Sequence, residues 1–236
     1  MSGNKFKSVA IIIPVYNEEK TIGKIIQKTL NADTCGLNKQ VIVVDDGSSD
    51  STKKQLESIE NKNIKLINHL KNLGKGAALK TGFKYASGDI IIIQDADLEY
   101  DPNEYKNLLK PILEQQADIV YGSRFIGDKP HRTLFFSHYL ANRMITFLSN
   151  LLTGLNLTDV ETCYKVFKKS VLNKIKLKEN GFGFEPEFTA KAAKNKFRIY
   201  EIGISYYGRD YTQGKKIRFK DGLQTLWCIF KYKLFN

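Results

Sequence analysis

Cysteine is scarce in this chain. Cys35, Cys163 and Cys228 lie far apart and form no CxxC pair. That argues against a disulfide framework or a cysteine-based zinc site and fits a reducing cytoplasm. Long apolar runs are missing as well. The longest, such as residues 90–93, fall far short of the about 20 residues needed to span a bilayer. If the protein meets a membrane, it is expected to lie on it. Lys5 and Lys7 lead straight into a strand-like run, so no cleavable signal peptide is expected. Neither an internal repeat, a low-complexity tract nor a linker interrupts residues 1–236, and one domain is expected. Acidic residues are outnumbered, leaving a formal charge of +12 that favours an anionic partner. The basic residues are spread along the chain and no DNA or RNA motif is visible. A non-catalytic anion-binding module is therefore a remote alternative, and no nucleic-acid partner is expected.

What the chain does have is alternation. Residues 9–13, 41–44, 64–67, 90–93 and 119–121 are short apolar runs rich in β-branched side chains and bounded by turn residues, which predicts buried strands. Helical spacing separates them: Ile22, Ile25, Ile26 and Leu30 share one face, and Ala77, Ala78, Phe83 and Ala86 suggest another. Asp50 is a candidate N-cap for a helix through Leu56. Asp101, Pro102 and Glu104 supply a cap, a proline at the first helical position and a capping-box partner. Repeated strand–helix–strand order predicts an α/β fold with a mostly parallel sheet and helices on both faces. The second half is less regular. Residues 134–152 read as an amphipathic helix, 198–207 as one or two strands, and 219–232 as a terminal helix.

Ligands of such sheets bind beyond the carboxyl ends of the strands, near a switch in strand order. Three polar clusters follow strands immediately: residues 14–18, 45–50 and 95–99. In the last, Asp95 and Asp97 are two carboxylates that reach one hard cation if the chain turns there. Mg²⁺ or Mn²⁺ would take these oxygens together with substrate diphosphate and water. Taken alone, either aspartate could merely cap a turn. Asp45 and Asp46 could accept N–H groups of a nucleobase, or simply belong to a glycine-containing loop capped by Asp50. Pro14 is expected to end the first ladder. Tyr16 could stack on a base or ribose, and Glu18 could accept from a ribose or act as an ordinary first-turn helix charge. The Gly74-Lys75-Gly76 turn lacks the third glycine of a dinucleotide-binding loop and follows no first strand.

Together, SVAIIIPVYNE (8–18), VIVVDDGSSDST (41–52), NLGKGA (72–77), IIIIQDADLE (90–99) and Gly122-Ser123-Arg124 resemble the family 2 inverting glycosyltransferases. Residues 132–142, TDVETCYKVF (158–167), GFEPE (183–187) and ISYYGRDYTQGKKI (204–217) are similar to the dolichol- and polyprenyl-phosphate sugar transferase branch, of which dolichol-phosphate mannosyltransferases are members. The resemblance implies a nucleotide-diphospho-sugar transferase (GT-A-type) fold. It also implies transfer of a hexose-type sugar from a UDP- or GDP-sugar to a polyprenyl phosphate. Pro14, Tyr16, Glu18, Asp45 and Asp46 would form the nucleoside pocket. Asp95 and Asp97, with Ala96 contributing backbone, would bind metal and diphosphate, and Glu99 would stand at a third metal-ligand position. Lys75, Arg124, Arg209 and Lys215 would surround the donor phosphates, the last two in a closing loop. Arg132 and Ser137 fall where the acceptor phosphate is held in that branch.

Asp159 and Glu161 occupy the place of a base. A hydroxyl acceptor needs one, whereas a phosphomonoester, already ionised near neutral pH (second pKa about 6), does not. Transfer to a glycan hydroxyl is thus the alternative within enzymes. A lipid acceptor implies a peripheral position at the cytoplasmic face of a membrane, with residues 132–155 and 219–236 as candidate interface segments. Attachment by the chain itself or through a separate anchoring partner are both open at this stage.

Overall fold

A computed structural model describes residues 6–133, 135–210, 212 and 219–234. The first four apolar runs form β1 (Ser8–Val15), β2 (Asn38–Asp45), β3 (Ile64–Asn68) and β4 (Ile90–Ile93), and the fifth forms β5 (Ile119–Ser123). Between them lie α1 (Ile22–Asn31), α2 (Thr52–Glu57), α3 (Lys75–Tyr85) and α4 (Tyr105–Leu113). The second half adds α5 (Phe136–Thr153), β6 (Lys165–Lys168), α6 (Phe184–Lys194), β7 (Ile199–Gly203) and α7 (Phe219–Leu234). Every residue of β4 is buried, as expected of a strand covered on both faces. On α1, Ile22, Ile25, Ile26 and Thr29 turn inward together. Gly82 lets α3 approach β1 closely: a Cβ there would collide with Ile12 Cγ2.

All seven strands join one sheet in the order β3-β2-β1-β4-β6-β5-β7. β1 pairs in parallel with both β2 and β4, so strand order reverses at β1. β6, which the sequence pattern does not reveal, is the exception to parallel pairing and runs antiparallel between β4 and β5. Its direction matters for function. Because β6 runs the opposite way, the segment before it (158–164) emerges on the same edge as the segments after β1, β2, β4, β5 and β7. Six stretches of chain therefore meet at one rim.

Three local expectations need correction. Pro14 does not end β1: it pairs with Val44, and the ladder to β2 continues to Asp45. The Ile12 carbonyl accepts from Gln94 N on the β4 side, and the Val15 carbonyl accepts from Asp46 N on the β2 side. Pro14, in step with Ile12, faces β4 beyond that strand's last pairing, where a missing N–H leaves nothing unsatisfied. Glu104 makes no capping box with Asp101. Asp101 does cap the short 3₁₀ turn at Pro102–Glu104, but the Glu104 carboxylate accepts from Ser205 N and Oγ, at 3.3 and 3.0 Å. The cap residue of α2 is Ser51, one position after the expected Asp50, whose carboxylate nevertheless accepts from Thr52 N at 3.0 Å in the first turn.

Candidate active site

The loops after β1 and β2 are laced together. Asn17 N donates to Ser48 Oγ at 2.9 Å, Ser49 N to Asn17 Oδ1 at 2.8 Å, and Glu18 N to Thr52 Oγ1 at 2.9 Å. Tyr16 is left 38% exposed on the rim. Asp45 and Asp46 are buried and employed in shaping turns. Asp45 accepts from Ser48 N at 3.1 Å. Asp46 accepts from Leu73 N at 3.0 Å and Gly74 N at 2.7 Å, and lies 2.6 Å from His69 Nδ1. The Gly74 backbone has φ +99°, which a side chain would strain, so Asp46 and this glycine together fix the turn that starts α3.

Beyond β4, Gln94 is fully buried and accepts from Tyr105 Oη and Tyr164 Oη, each at 2.7 Å. This anchor aims the following Asp95-Ala96-Asp97 turn at the rim. Lys75 Nζ lies 3.0 Å from Asp95 Oδ1 and 3.0 Å from Glu185 Oε1. Burial works against its charge, but the two carboxylates outweigh burial and hold the ammonium well above its usual pKa. Asp97 is pushed up to about 8, first by burial and then by its neighbours Glu99 and Asp95, with Arg209 pulling the other way. Lys75 beside Asp95 and Arg209 beside Asp97 offset only part of this cluster's negative charge. Two aspartate oxygen donors beside one another suit a hard divalent cation, and a cation there would relieve the repulsion.

Glu99 does not complete such a ligand set. Its Oε2 accepts from Tyr206 Oη at 2.7 Å and its Oε1 from Arg209 N at 2.7 Å, so its carboxylate holds down the strap of residues 206–210. Among the described residues no group of three His, Cys, Asp or Glu is arranged to hold a metal. The Arg209 guanidinium stands in the acidic nest, 3.0 and 3.1 Å from the two Glu18 oxygens and 3.4 Å from Asp97 Oδ2. Lys215 lies outside the described residues.

After β5, Arg124 is clamped by Asp159: Nε to Oδ2 is 2.6 Å, Nη2 to Oδ1 is 2.7 Å, and Arg124 N donates to Oδ2 at 3.1 Å. The guanidinium lies 5.2 Å from the Tyr206 ring centroid. The Asp159 side chain is wholly buried, with both oxygens committed, a poor disposition for taking a proton from an acceptor. Glu161 is different. Its Oε1 is buried without a hydrogen-bond partner, and burial, reinforced by Glu185, raises its pKa to about 8.

Arg132 and Ser137 have different surroundings. Arg132 donates from Nη1 to the Gly208 carbonyl at 3.0 Å and from Nη2 to Asp210 Oδ2 at 3.1 Å, and thereby holds the strap. Ser137 is exposed in the first turn of α5. A cavity of about 390 Å³ opens instead between Arg124, Lys129, His131, Tyr139 and Arg143. Of these, sequence reasoning singled out Arg124 and missed Lys129, His131, Tyr139 and Arg143, and it also missed Glu185. Glu185 was legible only as part of GFEPE, and its approach to Lys75 depends on a contact spanning 110 positions.

Residues 10–176 match the family described as Glycosyl transferase family 2. The chain belongs to that family. It is a glycosyltransferase, and its fold is of the GT-A type. It is 28% identical over 247 residues to the UDP-N-acetylglucosamine–dolichyl-phosphate N-acetylglucosaminyltransferase of Methanococcus voltae, covering 97% of each chain. It is 30% identical to the dolichol-phosphate mannosyltransferase of Pyrococcus furiosus, over 89% of this chain and 60% of that one. Among solved structures, glucosyl-3-phosphoglycerate synthase from Mycobacterium tuberculosis, in complex with Mn²⁺, uridine diphosphate and phosphoglyceric acid, superposes with a TM-score of 0.73. That likeness covers 98% of this chain and 80% of the other at 17% identity, and it concerns the fold.

Proposed function

We propose that this family 2 transferase moves a hexose-type sugar from a UDP- or GDP-sugar to a polyprenyl phosphate, with inversion at the anomeric carbon. The observation that carries the reading is the acidic nest of Glu18, Asp97 and Glu99 filled by the Arg209 guanidinium at the strand-order switch. Such a nest calls for positive charge, and the Arg209 guanidinium closed over it suits a negatively charged diphosphate. Tyr16, beside Pro14, offers a ring for the base. Glu18 accepts from the ribose once Arg209 turns to the diphosphate, and Asp45 and Asp46 shape the pocket wall. Asp95 and Asp97 would hold Mg²⁺ or Mn²⁺, which when bound supplies Lewis-acid stabilisation of the leaving diphosphate. Arg209 and Arg124 stabilise the same developing charge.

A phosphate oxygen of the acceptor attacks the anomeric carbon, the bond to the donor's diphosphate breaks, and its electron pair leaves with the nucleoside diphosphate. No proton has to move, because the acceptor is already ionised. Names of the relatives from Methanococcus voltae and Pyrococcus furiosus support the lipid acceptor. No helix of the described residues is long and apolar enough to cross a membrane. We place the protein on the cytoplasmic face, resting on α5 and α7. Both carry exposed apolar side chains, among them Phe136 and Phe147 on α5 and Trp227 on α7.

A thermal-shift panel tests the donor. One of UDP, GDP or their sugars, with Mg²⁺ or Mn²⁺ present, is expected to raise Tm by several degrees, as mass action requires of a ligand binding only the native state. A flat response across the whole panel overturns the reading.

Glu161, with its orphaned oxygen and a pKa of about 8, favours one second reading, transfer to a glycan hydroxyl with Glu161 as base. Glu161→Gln separates the two. With a phosphate acceptor, kcat is expected to fall less than tenfold. With a hydroxyl acceptor it would fall by about 10²–10⁴ while the donor-induced Tm shift survives.

A further inference from the structure

We propose that the acceptor's phosphomonoester is bound by Arg143, His131 and Lys129 in the cavity beside Arg124, not by Arg132 and Ser137. The inference rests on the reading of the protein as a transferase to a phosphate acceptor and assigns that substrate its site.

Backbone register is the first support. His131 bridges in parallel to Tyr206, and Arg132 N donates to the Tyr206 carbonyl at 2.8 Å. In extended chain, neighbouring side chains point to opposite sides. Arg132 is turned toward the strap at Gly208 and Asp210, while Lys129 and His131, two apart, both line the cavity. Helical phase is the second. Tyr139 and Arg143 are four apart on α5 and share the face that lines the cavity. Asn142, next to Arg143, reaches inward to Asp159 at 3.4 Å, whereas Ser137 is exposed in the first turn.

Charge is the third support. Arg124 is neutralised by Asp159, and Lys129 lies 3.6 Å from Glu104. Among the described residues, neither His131 nor Arg143 has a hydrogen-bond or ion-pair partner. The cavity therefore presents the unpaired His131 and Arg143 side chains beside Arg124 and Lys129, an excess of donors that an ionised phosphate satisfies. It also lies next to the donor rim, since Arg124 is shared between the cavity and the wall that runs through Tyr206 to Glu99. A phosphate bound there would sit beside the sugar to be transferred.

Apolar surface completes the case for a lipid. On α5, Phe136, Leu140, Met144, Phe147 and Leu151 form an exposed stripe, 72% exposed at Phe136 and 49% at Met144. The stripe adjoins the cavity face of the same helix, so a prenyl chain attached to the bound phosphate can lie along it. Covering these side chains would remove a contiguous apolar surface from water.

The test is direct binding of farnesyl phosphate to the full chain by calorimetry, beside farnesol, inorganic phosphate and 3-phosphoglycerate. Farnesyl phosphate is expected to bind at least tenfold more tightly than the other three. Arg143→Gln and His131→Gln should each weaken it at least tenfold, whereas Ser137→Ala should not. Arg143 is exposed, so its substitution should leave Tm and the donor-induced Tm shift unchanged. In the transfer assay, Arg143→Gln should raise KM for polyprenyl phosphate at least tenfold with a smaller change in kcat. Wild-type transfer to polyprenyl phosphate with an unchanged KM in Arg143→Gln would overturn the site and keep the function. Inorganic phosphate or phosphoglycerate binding as tightly as farnesyl phosphate through Arg143 would overturn the prenyl part. Absence of both farnesyl phosphate binding and lipid transfer, with the donor shift intact, would overturn site and acceptor together.

Discussion

Asp97→Asn is expected to abolish metal-dependent donor binding, lower transfer by roughly 10³-fold, and still raise the melting temperature of the ligand-free protein. The two effects have one cause. Asp97 is buried beside Glu99 and Asp95, and its pKa is raised to about 8. In an unfolded chain a carboxyl titrates near about 3.9. Between about pH 4 and pH 8 the folded protein therefore holds a proton that the unfolded chain has lost, and stability falls as pH rises through that window. Glu161, also raised to about 8, acts in the same direction. Asparagine removes the Asp97 contribution, so the ligand-free variant should melt higher than wild type at pH 8 and close to it at pH 4. Mn²⁺ should raise the wild-type Tm at pH 8 and leave the variant unmoved. Thermal denaturation at the two pH values, with and without Mn²⁺, checks both halves. A variant that melts lower than wild type at pH 8 would overturn the raised Asp97 pKa, and one that still responds to Mn²⁺ would remove Asp97 from the metal site.

Asp159→Asn carries the other large effect, and it is mainly one of stability. Arg124 is mostly buried, and its only carboxylate partner among the described residues is Asp159, which meets it through two side-chain bonds and one backbone bond. Burial opposes the guanidinium's charge, and Asp159 more than offsets it. Losing the carboxylate leaves a buried cation uncompensated, a change that typically costs about 3–5 kcal/mol. Urea unfolding should show that loss, with activity falling because Arg124 is no longer held at the rim. Arg124→Met combined with Asp159→Leu should recover much of the stability and none of the transfer. A loss under about 1 kcal/mol in Asp159→Asn would mean that the pair is solvated and that Asp159 is free for other work.

The first half of the fold was readable because its signals are local. Continuous runs of β-branched residues form β1 and β4, covered on both faces, whereas β3, expected to be buried, is a half-exposed edge strand. The acidic turns after β1, β2 and β4 lie at the carboxyl ends by chain direction alone. β6 left no such mark. KVFK is too short for periodicity to identify it, and its antiparallel place between β4 and β5 rests on pairings with strands more than 40 residues away. That insertion brings Asp159 and Glu161 to the rim that β1, β2 and β4 define. Asp159 was readable as a carboxylate near the site. Its commitment to Arg124 was not, because a bidentate pair is a matter of distance.

The acidic character of the nest, the family 2 chemistry and the strand ends that carry it were determined by sequence, because residue type and chain direction suffice for them. The tertiary structure decided which carboxylates are available. Glu99 is spent on Tyr206 and Arg209, Asp159 on Arg124, and Asp46 on the turn before α3. It also decided that Arg132 faces the strap while Lys129, His131 and Arg143 face the cavity. The physical reason is that a side chain's partner depends on register and helical phase set by distant pairing, and a shift of one residue exchanges the two sides.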